Sequence, residues 1–176
     1  FQEKVPNEGH TIISEIINSK KAGHCITQNV DNLHQKSGLN EASVTELHGN
    51  ATFAVCLDCK KRFELSFIHE DFKSSNKPPE CDSCNGWIKT ATISFGQPMP
   101  EDKMIIAHEE TLKADVFIVA GSSLSVFPAA NFPLIAKEND AKLLIVNNEE
   151  TQFDHFADVL IHDDISKTFS NLKITH

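Results

Sequence analysis

The stretch ADVFIVAGSSLSVFPAANFPLIAKENDAKLLIVNNEET, residues 114–151, decides the fold. Its two ends, ADVFIVAGSS at 114–123 and AKLLIVNNEET at 141–151, are near-continuous apolar runs, typical of strands that are buried on both faces. PAANFPLIAKE, residues 128–138, lies between them and predicts a helix, with Pro128 suited to its first turn. Two buried strands separated by a helix indicate a parallel sheet covered by helices.

Further segments extend this pattern in both directions. DVLI, residues 158–161, predicts a third strand of the same sheet, and residues 166–174 predict a closing helix. GHTIISEIINSKK, residues 9–21, carries isoleucines at helical spacing and predicts a helix with one apolar face. HCITQNVDN, residues 24–32, is a short strand-like run that ends in polar residues. Together these segments indicate an α/β fold.

The composition disfavours several classes of function. The chain has 176 residues, of which 40% are apolar, enough for one compact domain with a small appended module. Its net charge of −9 and pI of about 5.4 disfavour non-specific binding to nucleic acid or to an anionic membrane. No apolar run approaches the roughly 20 residues of a membrane span, and no secretory signal is visible. We therefore expect a cytoplasmic protein that binds neither nucleic acid nor membrane directly.

Residues 51–90 differ in character from the rest of the chain. They contain short runs at Ala51–Val55 and Arg62–Phe67, a polar loop from Lys73 to Pro79, and four of the five cysteines. A segment with so small a core needs another source of stability. The pattern predicts small β-hairpins held together by a metal ion.

The four cysteines form two Cys-x-x-Cys pairs, Cys56 with Cys59 and Cys81 with Cys84, and residues 60–80 lie between the pairs. Two such knuckles place four thiolates around one tetrahedral zinc ion, and a site closed by four protein ligands is structural. Free thiols or a redox pair are the alternative interpretation. Cys25 stands apart in a short apolar run, and we interpret it as a buried core cysteine in preference to a nucleophile.

Polar clusters follow three of the predicted strands, where ligands of open parallel sheets bind. Their members are Gln28, Asn29 and Asp31, then Gly121, Ser122 and Ser123, then Asn147 and Glu149. Small residues let a phosphate or ribose approach the backbone, and Asn and Glu offer acceptors to ribose hydroxyls. The three clusters together favour a nucleotide site, and plain turns are the alternative. His48, in ELHGN, could be a general base or simply a surface histidine.

Six segments occur in the order and spacing of the sirtuin family, which the chain resembles over nearly its whole length. These segments are TQNVDNLH at 27–34, ELHG at 46–49, the two Cys-x-x-Cys pairs, ISFGQPMP at 93–100, GSSLSVFPAA at 121–130 and LIVNNEET at 144–151. The resemblance implies a Rossmann-like parallel sheet with an inserted zinc-ribbon module. It implies an NAD-binding domain over residues 1–50 and 91–176, and a zinc-binding module over residues 51–90.

The resemblance also implies a role for each motif. His48 matches the catalytic base of the family. The positions that match its NAD site are Gln28, Asn29, Asp31, Gly121, Ser122, Ser123, Asn147, Glu149, Asp164 and Ile165. The positions that look like two strands flanking an acyl-lysine peptide are Phe95, Gly96, Ser125 and Val126, an arrangement in which backbone bonds give affinity. Cys56, Cys59, Cys81 and Cys84 would hold one structural zinc ion.

The implied reaction is the NAD-dependent removal of acyl groups from protein lysines. Nicotinamide leaves NAD while the acyl oxygen of the substrate attacks the ribose carbon. The base then takes a proton from a ribose hydroxyl, which attacks the acyl carbon, and water completes the transfer. The products are free lysine, nicotinamide and O-acyl-ADP-ribose, and zinc takes no direct part.

The sequence departs from the family pattern at two places. Sirtuins normally open with a strand and a Gly-Ala-Gly-x-Ser loop, followed by a Pro-Asp-Phe-Arg stretch, and the resemblance places both before Phe1. We therefore expect that the 176-residue polypeptide lacks about half of the cofactor site and a central strand, leaves two sheet edges unpaired and turns over little NAD. In KTATISFGQ, residues 89–97, Gln97 stands where many sirtuins have Glu, so the acyl preference stays open.

Three other functions compete with a deacylase. The first is a non-catalytic zinc-bearing module that recognises a peptide or nucleotide, and the second is an ADP-ribosyl transferase that uses the same cofactor pocket. The third is a nucleic-acid-binding zinc ribbon, which the net charge of −9 disfavours. A variant in which alanine replaces His48 separates the first from an enzyme, because only an enzyme would lose turnover.

Overall fold

The computed structural model describes residues 4–19, 23–94 and 96–171. The helices are α1 (Glu8–Asn18), α2 (Leu33–Lys36), α3 (Leu65–Ser75), α4 (Glu101–Leu112), α5 (Phe132–Glu138) and α6 (Ile165–Ser170). The strands are β1 (Cys25–Thr27), β2 (Val44–Glu46), β3 (Gly49–Cys56), β4 (Arg62–Glu64), β5 (Ile88–Thr92), β6 (Val116–Ala120), β7 (Lys142–Val146) and β8 (Val159–Ile161). Within the described ranges, no helix is both long enough and apolar enough to cross a membrane.

The apolar runs that decide the fold form a parallel sheet in the order β6, β7, β8. β6 and β7 pair along their full length, from Val116 opposite Lys142 to Ala120 opposite Val146. The chain between them contains α5, preceded by a 3₁₀ turn at Ala129–Asn131. The predicted α/β class with parallel strands is therefore confirmed, and the helix predicted at residues 128–138 begins as the tighter 3₁₀ form.

Burial is uneven across this sheet. In β7, the side chains of Leu143, Ile145 and Val146 are fully buried. In β6, by contrast, Val116 is 56% exposed and Ile118 is 40% exposed, although the sequence predicted burial on both faces. All residues of β6 line a cavity of about 640 Å³, so part of this strand borders open space.

A second, two-stranded parallel sheet also borders this cavity. It pairs β1 with β2, Cys25 opposite Val44 and Thr27 opposite Glu46. Among the described strands, β1 pairs only with β2 and β6 pairs only with β7, and both β1 and β6 line the cavity. The parallel strands of the described chain thus lie in two separate sheets, and β1 and β6 are edge strands of those sheets.

The segment between the two parallel sheets folds as an antiparallel sheet in the order β4, β3, β5. Its core consists of Ala54, Cys56, Phe63, Cys81 and Ile88. The predicted hairpins are present, but α3 follows β4 directly where the sequence suggested an extended run and a polar loop. Leu65 and Ile68, one helical turn apart, pack against this small core, which favours the helix.

Two helices at the ends of the described chain pack together, α1 against α6. α1 begins at a reciprocal cap, in which the Asn7 side chain accepts from the backbone N–H of His10 at 3.1 Å. A Cβ on Gly9 would lie 3.4 Å from the side chain of Ile165, so α6 packs directly on the first turn of α1. The predicted helix at residues 9–21 is confirmed up to Asn18, and residues 20–22 and 172–176 lie outside the described residues.

The carboxylate of Asp158, the residue before β8, accepts hydrogen bonds from the neighbouring elements. Asp158 accepts hydrogen bonds from Lys137, from Lys142 at 3.3 Å and from the backbone N–H of Leu143 at 2.9 Å. Its hydrogen bond from Lys137, followed by that from Leu143, holds its pKa well below the ordinary value of 3.8. A depressed folded-state pKa stabilises the protein above the unfolded value, and this stabilisation is lost as the pH falls.

We therefore expect Asp158→Asn to make the free energy of unfolding depend less on pH under acidic conditions. The wild-type free energy of unfolding should fall between about pH 5 and about pH 3 by more than that of the variant, because only the wild type must protonate this carboxylate. Urea unfolding at both pH values measures the difference. Equal losses in the two proteins would contradict the role of Asp158.

Candidate functional site

His48 lies in the turn that joins β2 to β3, beside the end of β1. Its Nδ1 lies 3.1 Å from the backbone carbonyl oxygen of Gln28. Since a carbonyl only accepts, Nδ1 carries the proton and donates it, which leaves Nε2 with the free lone pair. The backbone is fixed on both sides, by a bond from the Leu47 N–H to the Thr27 carbonyl at 2.9 Å and one from the Ile93 N–H to the His48 carbonyl at 2.8 Å. The imidazole is therefore oriented as a proton acceptor.

The residue after His48 must be glycine for two separate reasons. Gly49 has φ of +75°, in the region that favours glycine. A Cβ at this position would also lie 2.0 Å from the backbone oxygen of Ala91, which belongs to the paired strand β5 and cannot easily move. The requirement for glycine thus sets the path of the chain that carries the imidazole.

We expect Gly49→Ala to lower the free energy of unfolding by more than about 2 kcal/mol, because dihedral strain and a backbone overlap add. Gly38→Ala is the matched control, since Gly38 also has a positive φ, +103°, but has no atom within 4 Å of an added Cβ. That variant should lose only about 1 kcal/mol. Equal losses in urea unfolding of the two variants would show that the overlap at Ala91 is relieved.

The polar residues after β1 divide between the cavity and a local cap. Gln28 and Asn29 line the cavity of about 640 Å³, and the Asn29 N–H donates to the Thr27 hydroxyl at 3.1 Å. Asp31 is absent from the described lining residues, and its carboxylate accepts the Leu33 N–H at 3.0 Å. Asp31 thus orders the turn into α2, and the amides beside it face the cavity.

The Gly-Ser-Ser turn after β6 borders the same cavity. Gly121, Ser122 and Ser123 all line it. Gly121 has φ of +65°, which favours glycine, and a Cβ there would lie 2.5 Å from the end of the Ile165 side chain, which would have to rotate away. The hydroxyl of Ser122 accepts the Leu124 N–H at 3.2 Å. The turn is therefore built for close approach to the backbone.

Most of the remaining residues predicted to bind the nucleotide do not line the described part of the cavity. Ile165 lines the cavity, but Asn147, Glu149 and Asp164 are absent from its described lining. The Asn147 amide donates to the Glu149 carbonyl at 2.8 Å, and Asp164 caps α6 by accepting the Lys167 N–H at 2.9 Å. A cavity of this size lies within the usual range of about 300–1,000 Å³ for ligand sites, so the amides, the Gly-Ser-Ser turn and Ile165 fit a dinucleotide.

The two segments predicted to flank a peptide are exposed and are not regular strands in the described structure. Phe95 lies outside the described residues. Gly96, with φ of +83°, stands in a turn closed by a bond from the Gln97 N–H to the Ser94 carbonyl at 3.0 Å. Ser125 and Val126 follow β6 in an irregular loop, where Val126 is 41% exposed. The two loops are therefore accessible, and in the described residues they are not paired with each other as strands.

The four cysteines of the two pairs meet at one point, as predicted, and fit a zinc ion. Their sulphur atoms all lie within 4.8 Å of one another, with 3.4 Å from Cys56 to Cys84 and 3.6 Å from Cys59 to Cys81. A tetrahedron of thiolates 2.3 Å from a central zinc has edges of about 3.8 Å, close to these separations. The backbone hydrogen bond from Cys59 lowers the pKa of Cys56 to about 7, whereas the pKa of Cys84 is raised to about 12, because the backbone hydrogen bond at Gly86, which lowers it, is outweighed by hydrogen bonds with Cys56 and Cys59.

A polar network beneath the His48 turn was not predicted from the sequence. One carboxylate oxygen of Glu46 accepts from the Asn50 side chain at 2.8 Å and from the Gln35 side chain at 3.0 Å. Asn50 is buried, and its oxygen accepts the Thr52 N–H at 2.8 Å. These bonds tie both ends of the turn to α2. The signal in the sequence was the pair of polar residues at the two ends of ELHGN. Only the histidine of this segment was given a functional role.

Comparison with known proteins agrees with this geometry. A sequence model described as the Sir2 family matches residues 1–128. An NAD-dependent protein deacetylase from Rhodopseudomonas palustris is 48% identical over 168 residues, which are 96% of this chain and 66% of that protein. Among solved structures, Sir2 bound to acetylated peptide superposes with a TM-score of 0.90 at 34% identity, covering 96% of this chain and 70% of the other.

A second solved structure, of Sir2 with a p53 peptide and NAD+, has a TM-score of 0.89 at 35% identity and covers 96% of this chain and 69% of the other. The chain spans just under two thirds of the length of two curated relatives that it matches, 66% of each. The similarity therefore extends over nearly all of this chain and over part of each relative.

Proposed function

This chain belongs to the Sir2 family, and we propose that it carries the base, the zinc module and much of the nucleotide site of an NAD-dependent protein-lysine deacylase. The observation that carries the proposal is the orientation of His48. Its Nδ1 is committed to the Gln28 carbonyl at 3.1 Å, and Gln28 itself lines the cavity that fits a dinucleotide. His48 is absent from the described lining of that cavity, but its imidazole is bonded to Gln28, one of the residues that would hold the ribose.

His48 is the general base in this proposal. Nε2 accepts a proton from a ribose hydroxyl, and the Gln28 carbonyl stabilises the resulting imidazolium because it already accepts the Nδ1 proton. The network around Glu46 holds the turn so that the imidazole need not reorganise when the charge forms. A base positioned in this way contributes about 10²–10⁴-fold to the rate.

The nucleotide is held by residues from three strand ends. NAD supplies the leaving nicotinamide and the ribose carbon that accepts the acyl oxygen. We assign the nicotinamide riboside end to Gln28, Asn29 and Asp31. The adenosine end is assigned to Gly121, Ser122, Ser123, Asn147 and Glu149, with Asp164 and Ile165 near the adenine. The placement of Gln28, Asn29 and the Gly-Ser-Ser turn around one cavity supports this assignment.

The acyl-lysine substrate would lie between the loop at Phe95 and Gly96 and the loop at Ser125 and Val126. Exposed backbone in both loops suits an extended peptide that adds as a strand, which gives affinity with little demand on sequence. The zinc module, residues 51–90, would stand beside this cleft as a structural element, and residues 1–50 with 91–176 would form the nucleotide domain. Four thiols that serve as metal ligands favour a reducing compartment, the cytoplasm.

The test is to incubate the complete polypeptide that carries this sequence with NAD and an acetyl-lysine peptide. We expect nicotinamide release only when both are present, together with loss of one acetyl group from the peptide. Labelled NAD should leave no label on protein, and stable labelling would favour an ADP-ribosyl transferase. Peptide binding without nicotinamide release would favour a non-catalytic binding module.

A further inference from the structure

A groove between α4 and α5 lies outside the cavity and the zinc site. It has a volume of about 420 Å³. Glu101, Met104, Ile105, His108 and Glu109 line it from α4, at the spacing of one helical face. Phe132 and Ile135 are among the residues that line it from α5. The groove therefore has an apolar floor, with a carboxylate at each end of one wall.

The charged side chains that line the groove are mainly carboxylates. Glu101 and Glu109 are exposed, and neither forms an ion pair with any cation in the described part of the chain. No lysine or arginine is among the described residues that line the groove, and His108 is its only basic side chain. The two carboxylates stand eight residues apart on α4, about 12 Å along the helix axis. Side chains with apolar stems and cationic tips match such a surface.

The groove is continuous along the chain with the proposed peptide cleft. Glu101 is the first residue of α4 and follows Gly96 by five positions, and Pro128, two positions after Val126, lines the groove. The Ala130 N–H donates to the Val126 carbonyl at 3.0 Å, which fixes this loop to the start of the 3₁₀ turn. Each wall of the groove therefore begins within five residues of one of the two loops, so the groove lies near the residues that flank a peptide held between them.

We infer that this groove binds lysine or arginine side chains that flank the acyl-lysine of the substrate. The inference rests on the proposed deacylase function and assigns a substrate class to it. Residues four apart in an extended peptide lie about 13 Å apart, so one basic residue can reach Glu101 while another reaches Glu109. Exposed ion pairs are individually weak and are screened by salt. The preference should therefore be moderate and should decrease with ionic strength.

The experiment compares kcat/KM for matched acetyl-lysine peptides in the complete polypeptide. In each pair, alternate positions on one side of the acetyl-lysine carry arginine or its neutral isostere citrulline, with one pair for each flank. The assay is run at a single pH of about 8. We expect the arginine peptide of one pair to be favoured about three- to tenfold, mainly through KM. E101Q/E109Q should abolish that preference.

D102N/E138Q is the matched control, because it removes two exposed carboxylates from the same two helices but outside the groove lining. It should keep the preference. Equal kcat/KM within both pairs, or a preference that survives in E101Q/E109Q, would overturn the inference and leave the deacylase function standing. Turnover of none of the peptides would refute the proposed function itself. Should E101Q/E109Q fail to fold, a wild-type preference that is unchanged by added salt would still overturn the inference.

Discussion

Replacing His48 with alanine in the complete polypeptide that carries this sequence should lower kcat for NAD-dependent deacylation by about 10²–10⁴-fold. The variant removes Nε2, the nitrogen left free by the bond from Nδ1 to the Gln28 carbonyl. Affinities for NAD and for the acetyl-lysine peptide should change by less than about threefold, because a lost general base acts on the chemical step. Steady-state kinetics and calorimetric binding measure the two effects separately.

His69→Ala is the control for this variant, since His69 lies exposed on α3 in the zinc module. It should retain wild-type kcat. A His48→Ala protein that keeps more than about a tenth of the wild-type kcat would show that another group takes the proton. Loss of peptide or NAD binding with unchanged kcat would instead indicate a role for His48 in holding the ligand.

Replacing Cys81 with serine should remove the zinc ion and unfold the segment around β3, β4 and β5. Two of the five residues in the small core of this segment, Cys56 and Cys81, are themselves metal ligands. With so few apolar side chains, metal binding must supply most of the folding free energy, as it does in zinc fingers, where it reaches about 10–16 kcal/mol. Zinc content should fall from one equivalent to less than about a tenth.

Cys25→Ala is the matched cysteine control for the zinc experiment. Cys25 lies in β1, away from the sulphur cluster, and burial raises its pKa to about 12, which disfavours a reactive thiolate. This variant should keep one equivalent of zinc and the wild-type circular dichroism of the module. A Cys81→Ser protein with full zinc content and unchanged melting would contradict a structural role for the four-cysteine site.

The strands with strong local signals could be predicted from the sequence. β6, β7 and β8 are apolar runs bounded by turn residues, and both features can be recognised without reference to distant residues. β2 has only three residues and is defined by its pairing with β1, so no local pattern marks it. The division into two parallel sheets is likewise a matter of which strands pair, which a run of residues does not reveal.

Three helices, α2, α3 and α4, were not predicted, and the two longer ones were missed for different reasons. α3 follows β4 without a loop, and its N-terminal residue makes no side-chain cap, so the boundary lacks the usual start signal. Leu65, Ile68 and Phe72 nevertheless recur at helical spacing, a pattern that could have been detected. α4 has few buried side chains, Ala107 and Thr111 among its twelve residues, and therefore a weak apolar stripe. Glu101 and Asp102 in its first turn were the available signal.

The candidate site shows the same limit. The cysteine pairs have a spacing that specifies a metal site on its own, and the structure brings their sulphur atoms together. His48 was one of nine histidines, marked in the sequence by the resemblance of ELHG to a family motif, and the structure adds its contact with the Gln28 carbonyl. Asp31 and Asp164 bond to neighbouring backbone, which the sequence could not separate from a role in ligand binding.

The most direct test of the account is the stoichiometry of products from the complete polypeptide. Mass spectrometry should find one nicotinamide and one O-acyl-ADP-ribose for each lysine that is freed, with no turnover in the absence of NAD. That result would establish NAD-dependent acyl transfer as the reaction of the site around His48. Free acetate formed without NAD, or nicotinamide released without loss of the acyl group, would contradict it.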